Sequence, residues 1–139
     1  MMNIQEEQNL MLKMLNNTNT IAVIGLSDNT NRTSYQIAKA MQKAGYRIIP
    51  VNPNVDKVLG EKAYPTVLDI EENFELVNVF RRSEYLEDLA VEIAKTKAPY
   101  VWLQQGVVNE NACQYLEQHG KSVIMDRCIK VAHSVLVRK

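Results

Sequence analysis

Residues 20–41 read TIAVIGLSDNTNRTSYQIAKAM. A short β-branched run ends in Gly25, a polar loop follows, and Ile37, Ala38, Met41 and Ala44 then recur at helical spacing. That order reads as a buried strand, a turn and a helix N-terminus. The stretch opens like a nucleotide-binding unit, but its turn is poor in glycine. After Gly25 come Ser27, Asp28, Asn29, Thr30, Asn31 and Arg32. Unpaired amides at the start of the helix favour an anion. Hydroxyls of Ser27, Thr30, Thr33 and Ser34 and the guanidinium of Arg32 suit phosphate oxygens.

The same alternation continues outward. Tyr46–Val51 reads as a second strand closed by Asn52 and Pro53, after a helix stopped at Gly45. Ala63 and Tyr64 form a short third strand before Pro65, and Leu76–Phe80 a fourth. Ser83 reads as the N-cap of a helix through Lys95. Tyr100–Leu103 is a fifth strand, Asn109–His119 a helix stopped by Gly120, and Ser122–Met125 a sixth strand. Val131–Val137 reads as a further short strand or a covering segment. Upstream, residues 3–16 place Ile4, Met11 and Leu15 on one stripe of an amphipathic helix that packs on the domain. The division expected is an N-terminal helix over residues 1–17 and a nucleotide-type domain over 18–139.

Strands alternating with helices imply an α/β fold: a Rossmann-like three-layer sandwich around a mostly parallel sheet of five to six strands. The expected order is 3-2-1-4-5 with the sixth strand at one edge. Ligands of such sheets sit beyond the carboxyl ends of the strands. That rule gathers Gly25 to Ser34, Asn52 and Pro53, Phe80 to Arg82, Gln104 to Gly106, and Asp126 to Cys128.

Other classes are disfavoured. The 139 residues balance 16 Lys and Arg against 16 Asp and Glu, without the basic surplus of a nucleic-acid binder. No apolar run reaches membrane-spanning length and the N-terminus is too polar for a signal peptide, so a cytoplasmic protein is expected. Cys113 and Cys128 lack CxxC spacing, and His119 and His133 have no zinc-like spacing to them, so no metal site is assigned. NAD binding fails on both halves of its fingerprint: the later glycines are absent, and Asn52 stands where a ribose-binding acid belongs. Neither GxxxxGK[ST] nor GxSxG is present.

Taken together, GLSDNTNRTSYQIAKAM, GYRIIPVNP, GEKAYPTVLDI, VNVFRRSE, VWLQQGVVNENA and DRCIKVAH resemble the small CoA-binding domain proteins, which are similar to the N-terminal domain of the succinyl-CoA synthetase alpha subunit. The resemblance covers about residues 10 to 135. It implies a Rossmann-like domain that binds coenzyme A without catalysis of its own. Gly25, Ser27, Arg32 and Ser34 match the loop expected to hold CoA phosphates. Asn52 and Pro53 match the segment beside the adenosine half. Val79, Phe80 and Arg81 match the turn flanking the nucleotide. Gln105 and Gly106 match the loop towards the pantetheine arm. Where the family often has an acid after the IKV-type segment, this chain has Ala132.

Coenzyme A brings a 3′-phosphate and a pyrophosphate. Arg32 with the helix amides suits one centre, and Arg81, Arg82 or Lys57 the other. Free CoA and acyl-CoA both stay open as the ligand, and so does a homodimer through the N-terminal helix or the tail. Two other functions compete with the binding module. One is a CoA-dependent acyl-transfer or thiol-exchange enzyme using Cys128, which follows Arg127 in a loop; against it stands a half-buried structural cysteine. The other is an interaction protein with a vestigial pocket.

Overall fold

The computed structural model describes residues 2–137. The main elements in chain order are α1 (Ile4–Asn16), β1 (Thr20–Ile24), α2 (Thr33–Lys43), β2 (Arg47–Val51), β3 (Lys57–Val58), β4 (Glu61–Lys62), β5 (Leu76–Val79), α3 (Leu86–Ala94), β6 (Tyr100–Leu103), α4 (Glu110–Gln118), β7 (Ser122–Ile124) and α5 (Ile129–Leu136). Five strands form one sheet in the order β2-β1-β5-β6-β7, and each neighbouring pair is parallel. Every residue of β1, β5 and β6 is buried. Parallel strands covered on both faces account for such continuously apolar runs.

Two cores follow from the two faces. Met11, Met14 and Leu15 of α1, Ile37 and Met41 of α2, and Ile129 of α5 pack with Ile21, Val23, Leu76 and Trp102 on one side. Leu86, Ala90 and Ile93 of α3 and Ala112 and Leu116 of α4 pack with Ala22, Val77, Val101 and Val123 on the other. The result is the expected Rossmann-like three-layer sandwich. No helix among the described residues is long and apolar enough to cross a membrane.

The N-terminal helix is set by a capping box. The Asn3 side chain accepts from the Glu6 amide at 2.8 Å, and the Glu6 carboxylate accepts from the Asn3 amide at 3.2 Å. Its far end is tied to the body of the fold, where the Tyr46 hydroxyl donates to the Leu15 carbonyl at 2.7 Å. Ile4, expected on the packed stripe, is instead exposed, because the buried stripe begins only at Met11.

Three further expectations change. The third strand shrinks to a single parallel bridge between Val51 and Tyr64, since Pro65 cuts the pairing short, and a separate antiparallel hairpin, β3–β4, precedes it. Of the two readings of the tail the strand fails and the covering segment holds: the tail is a helix, α5, that buries Ile129 and Ala132, while its valines at 131 and 135 face outward. Ser83 caps nothing. It begins a 3-10 turn, Ser83–Tyr85, and its hydroxyl accepts from the Val108 amide at 2.9 Å, so a tertiary partner takes the oxygen that a cap would use.

The centre of the sheet depends on Gly25. Its amide donates to the Val51 carbonyl at 2.8 Å, and the Phe80 amide donates to the Ile24 carbonyl at 2.9 Å, so the ends of β1, β2 and β5 are drawn together. A Cβ on Gly25 would lie 2.1 Å from the Phe80 carbonyl oxygen, and the residue has φ +85°. At Gly60, with φ +79°, a Cβ would meet nothing within 4 Å. Gly25→Ala is expected to cost at least about 3 kcal/mol of stability, and Gly60→Ala about 1–2 kcal/mol. Urea denaturation of the two variants checks this; equal losses would contradict the close-contact account. Cys113 of α4 supplies a second test. Burial, reinforced by Glu117 and Glu110, pushes its thiol up to about 11. At pH 8 its alkylation by iodoacetamide should run on the order of 100-fold slower than that of an unstructured thiol, whereas labelling at the unstructured rate would show that the thiol is not held in this environment.

Candidate functional site

A cleft with a volume of about 410 Å³ opens at the carboxyl ends of β1, β2 and β5. Its walls come from Gly25 and Arg32, from Val51–Asn54, from Pro65–Val67, from Phe80–Arg82, and from Leu89 and Glu92 of α3. This is the crevice that the topology of an open parallel sheet provides.

The loop between β1 and α2 is shaped by its own polar side chains. The Ser34 hydroxyl accepts from the Ser27 amide at 3.1 Å, the Ser27 hydroxyl from the Asn29 amide at 3.0 Å, and the Asn29 side chain from the Asn31 amide at 2.9 Å. Asn52 fastens the loop from the side, donating from Nδ2 to the Leu26 carbonyl at 3.1 Å and accepting from the Asn54 amide at 2.9 Å. Leu26 itself is fully buried. These side-chain bonds hold the loop in its turns without further glycines. They also use the Ser27 and Ser34 oxygens as acceptors within the loop. Ser34 is buried and holds the loop in shape; neither serine lines the cleft.

At the start of α2 no side chain caps the helix. Its first amides therefore lack the acceptor that an N-cap serine or aspartate supplies. Arg32, the N-cap residue, is exposed, lines the cleft, and makes no side-chain hydrogen bond or ion pair among the described residues. From the turn after β5 the Arg81 guanidinium lies 4.7 Å from the centre of the Tyr85 ring. Arg82 reaches Glu84 only at 3.9 Å, with both side chains largely exposed, a pairing that holds it weakly. Three guanidiniums thus border the cleft, against one carboxylate, Glu92.

Not every residue singled out in the sequence comes to this cleft. Gly25, Arg32, Asn52, Pro53, Phe80 and Arg81 line it. Val79 is buried within β5 and contributes backbone only, its carbonyl accepting from the Gln104 amide at 3.2 Å. Lys57 sits on the β3–β4 hairpin, away from the lining. Gln105 borders a different depression, and the Gly106 amide donates to Asp126 Oδ1 at 2.7 Å. The Pro65–Val67 wall escapes a reading of the sequence for ligand-binding residues. Its signal is local, the Thr66-x-x-Asp69 capping box of a 3-10 turn, and only the bridge from Tyr64 to Val51 carries it to the cleft.

Cys128, half-buried, stands at the N-cap position of α5. Arg127 turns to Glu7 of α1, with nitrogen–oxygen distances of 2.7 and 3.0 Å. His119 stacks on Tyr115, and His133 meets the edge of Tyr46 at 5.7 Å. Trp102, fully buried, donates from its indole to the Arg127 carbonyl at 2.9 Å and so fixes the backbone ahead of Cys128.

A family model described as a CoA binding domain matches residues 19–134. The Bacillus subtilis (strain 168) protein called Uncharacterized protein YneT is 54% identical over 123 residues, which cover 88% of this chain and 91% of that protein. A solved structure described as cell-free ID.343 from Thermus thermophilus is 32% identical, with a TM-score of 0.88, covering 97% of this chain and 99% of that one. The ADP-forming acetate–CoA ligase of Methanocaldococcus jannaschii is 34% identical over 65 residues, which cover 47% of this chain but only 9% of the ligase. The sheet, the cleft beyond its central strands and these matches agree, and the chain belongs to the CoA-binding domain family.

Proposed function

We propose that the protein is a non-catalytic module that binds coenzyme A or an acyl-CoA, with the phosphates held where β1 gives way to α2. The observation that carries this reading is the unpaired Arg32 at an uncapped helix start, in a cleft that Arg81 and Arg82 also line. Such an arrangement offers two separate positive centres. Coenzyme A presents two separate anionic ones, its pyrophosphate and its 3′-phosphate. In this reading Arg32 and the first amides of α2 take one, and Arg81 with Arg82 takes the other. Gly25 lets the backbone pass close beneath, Ser27 and Ser34 keep the loop in shape, and Val79 fixes the turn that presents Phe80. Asn52, Pro53 and Phe80 lie along the adenosine half, and Gln105 and Gly106 guide the pantetheine arm.

Two features favour this ligand over an unphosphorylated ribose. The side chain at the end of β2 is the amide of Asn52, already bonded to Leu26 and Asn54, so no carboxylate there repels a ribose phosphate. The family match supports coenzyme A in particular. The non-catalytic reading draws on two side-chain environments: burial pushes the Cys113 thiol up, and Arg127 beside Cys128 is paired with Glu7. The two free cysteines also accord with a reducing, cytoplasmic setting.

Calorimetry tests the assignment. Coenzyme A should bind the wild-type chain. Replacing it by 3′-dephospho-CoA, or replacing Arg32→Ala, should each weaken binding roughly 10- to 100-fold, the loss typical of a charge-assisted hydrogen bond. If neither change weakens binding, the phosphates do not sit at this cleft.

A further inference from the structure

The proposed cleft leaves a larger depression unexplained. It has a volume of about 530 Å³ and lies between α1 and α5, with the loops after β6 and β7 at one end. The two helices line it with matching stripes. Residues 4, 7, 8 and 11 of α1 face residues 128, 131, 132 and 135 at the start and along α5, so each helix turns one side to the groove. Three exposed apolar residues meet there: Ile4 is 73% exposed, Val131 57% and Val135 54%. The groove pairs this apolar strip with polar residues, Glu7, Gln8, Gln105, Asp126 and Arg127, and its volume falls within the range of small-molecule sites.

Its position says what enters it. Phe80, a wall of the cleft, follows Val79, whose neighbour across the sheet is Leu103. The Gln104 amide donates to the Val79 carbonyl at 3.2 Å, and Gln105, the next residue, borders the groove. Phe80 follows Val79 as Gln104 follows Leu103, so Phe80 at the cleft and Gln104 stand one strand spacing, about 4.8 Å, apart, and the groove begins one residue further on, at Gln105. The connection is rigid, because buried Gln104 Oε1 accepts from both Asn78 Nδ2 and the Ile129 amide at 3.3 Å, joining β5, β6 and the start of α5.

We propose that the groove between α1 and α5 holds the acyl chain of an acyl-CoA, and that the chain is a neutral hydrocarbon. This rests on the CoA reading above and deepens it. A thioester arm leaving the cleft past Gln105 would bring its acyl group onto Met11, Val131 and Val135. The rim carries the carboxylates of Glu7 and Asp126, and the arginine beside them is already paired with Glu7, so an acyl group ending in a carboxylate is disfavoured.

Calorimetry with CoA, acetyl-CoA, butyryl-CoA, octanoyl-CoA and succinyl-CoA tests this on the full chain. Affinity should climb with chain length, by at most about fourfold per methylene, and succinyl-CoA should gain nothing over CoA. The ratio of octanoyl-CoA to CoA affinity is then measured in Val131→Glu and in Val91→Glu, an exposed valine of α3 outside the groove. The first should bring the ratio near one, and the second should keep it. A flat series in a protein that binds CoA overturns the groove assignment alone, as does a ratio that survives Val131→Glu. Failure of CoA itself to bind overturns the underlying reading and the groove with it. A flat series in which sedimentation shows a dimer that Val131→Glu dissociates would assign the groove to a second copy of the chain instead.

Discussion

The contact between Gly25 and the Phe80 carbonyl sets the geometry of the molecule. Two parallel strands, β1 and β5, end within one layer, and the backbone leaving β1 must pass where any side chain would collide. A left-handed glycine solves both the direction and the clearance. Once the chain passes there, Leu26 can bury itself, Asn52 can reach its carbonyl, and α2 can begin with its N-cap residue, Arg32, at the cleft. The demand for glycine at this position is thus met by the protein's own packing. In the proposed reading, phosphate binding is laid over a turn that the sheet already requires.

A second set of contacts makes the carboxyl edge of the sheet one rigid piece. Asn78, buried in β5, donates to the Trp102 carbonyl at 3.1 Å and to the Gln104 side chain, and Gln104 in turn accepts the Ile129 amide. The Trp102 indole holds the carbonyl of Arg127. Such buried polar groups are costly unless each finds its partner, and here they do. The cleft and the groove beside α5 are consequently fixed relative to each other, although they belong to different loops. The zero net charge of the chain conceals local order: three guanidiniums meet at one cleft, while much of the remaining charge lies on exposed helix faces.

What the sequence revealed follows from how local each cause is. The strands of the central sheet show as apolar β-branched runs, α2, α3 and α4 show by periodicity, and α2 and α4 also by glycine or asparagine boundaries, all signals within a few residues. The tail misleads because Val131, Val135 and Val137 are β-branched and spaced to resemble a strand, whereas the helix is decided by Ile129 and Ala132 packing on the face that α1 also covers. Ser83 misleads because an N-cap residue type was given a tertiary partner, Val108. In the cleft, the arginines and the loop after β1 were legible from topology alone. The Pro65–Val67 wall was not, since a short bridge to β2 brings it there, and Lys57 stood apart because its hairpin leaves the sheet.

An amide NMR titration with coenzyme A reads the central claim most directly, because it reports every backbone position at once. The account predicts the largest shifts at Gly25, at Thr33 to Tyr35 and at Phe80 to Arg82, with the opposite edge near Lys95 to Ala98 unmoved. Saturable binding that shifts the Lys95–Ala98 edge and leaves the start of α2 silent would contradict it.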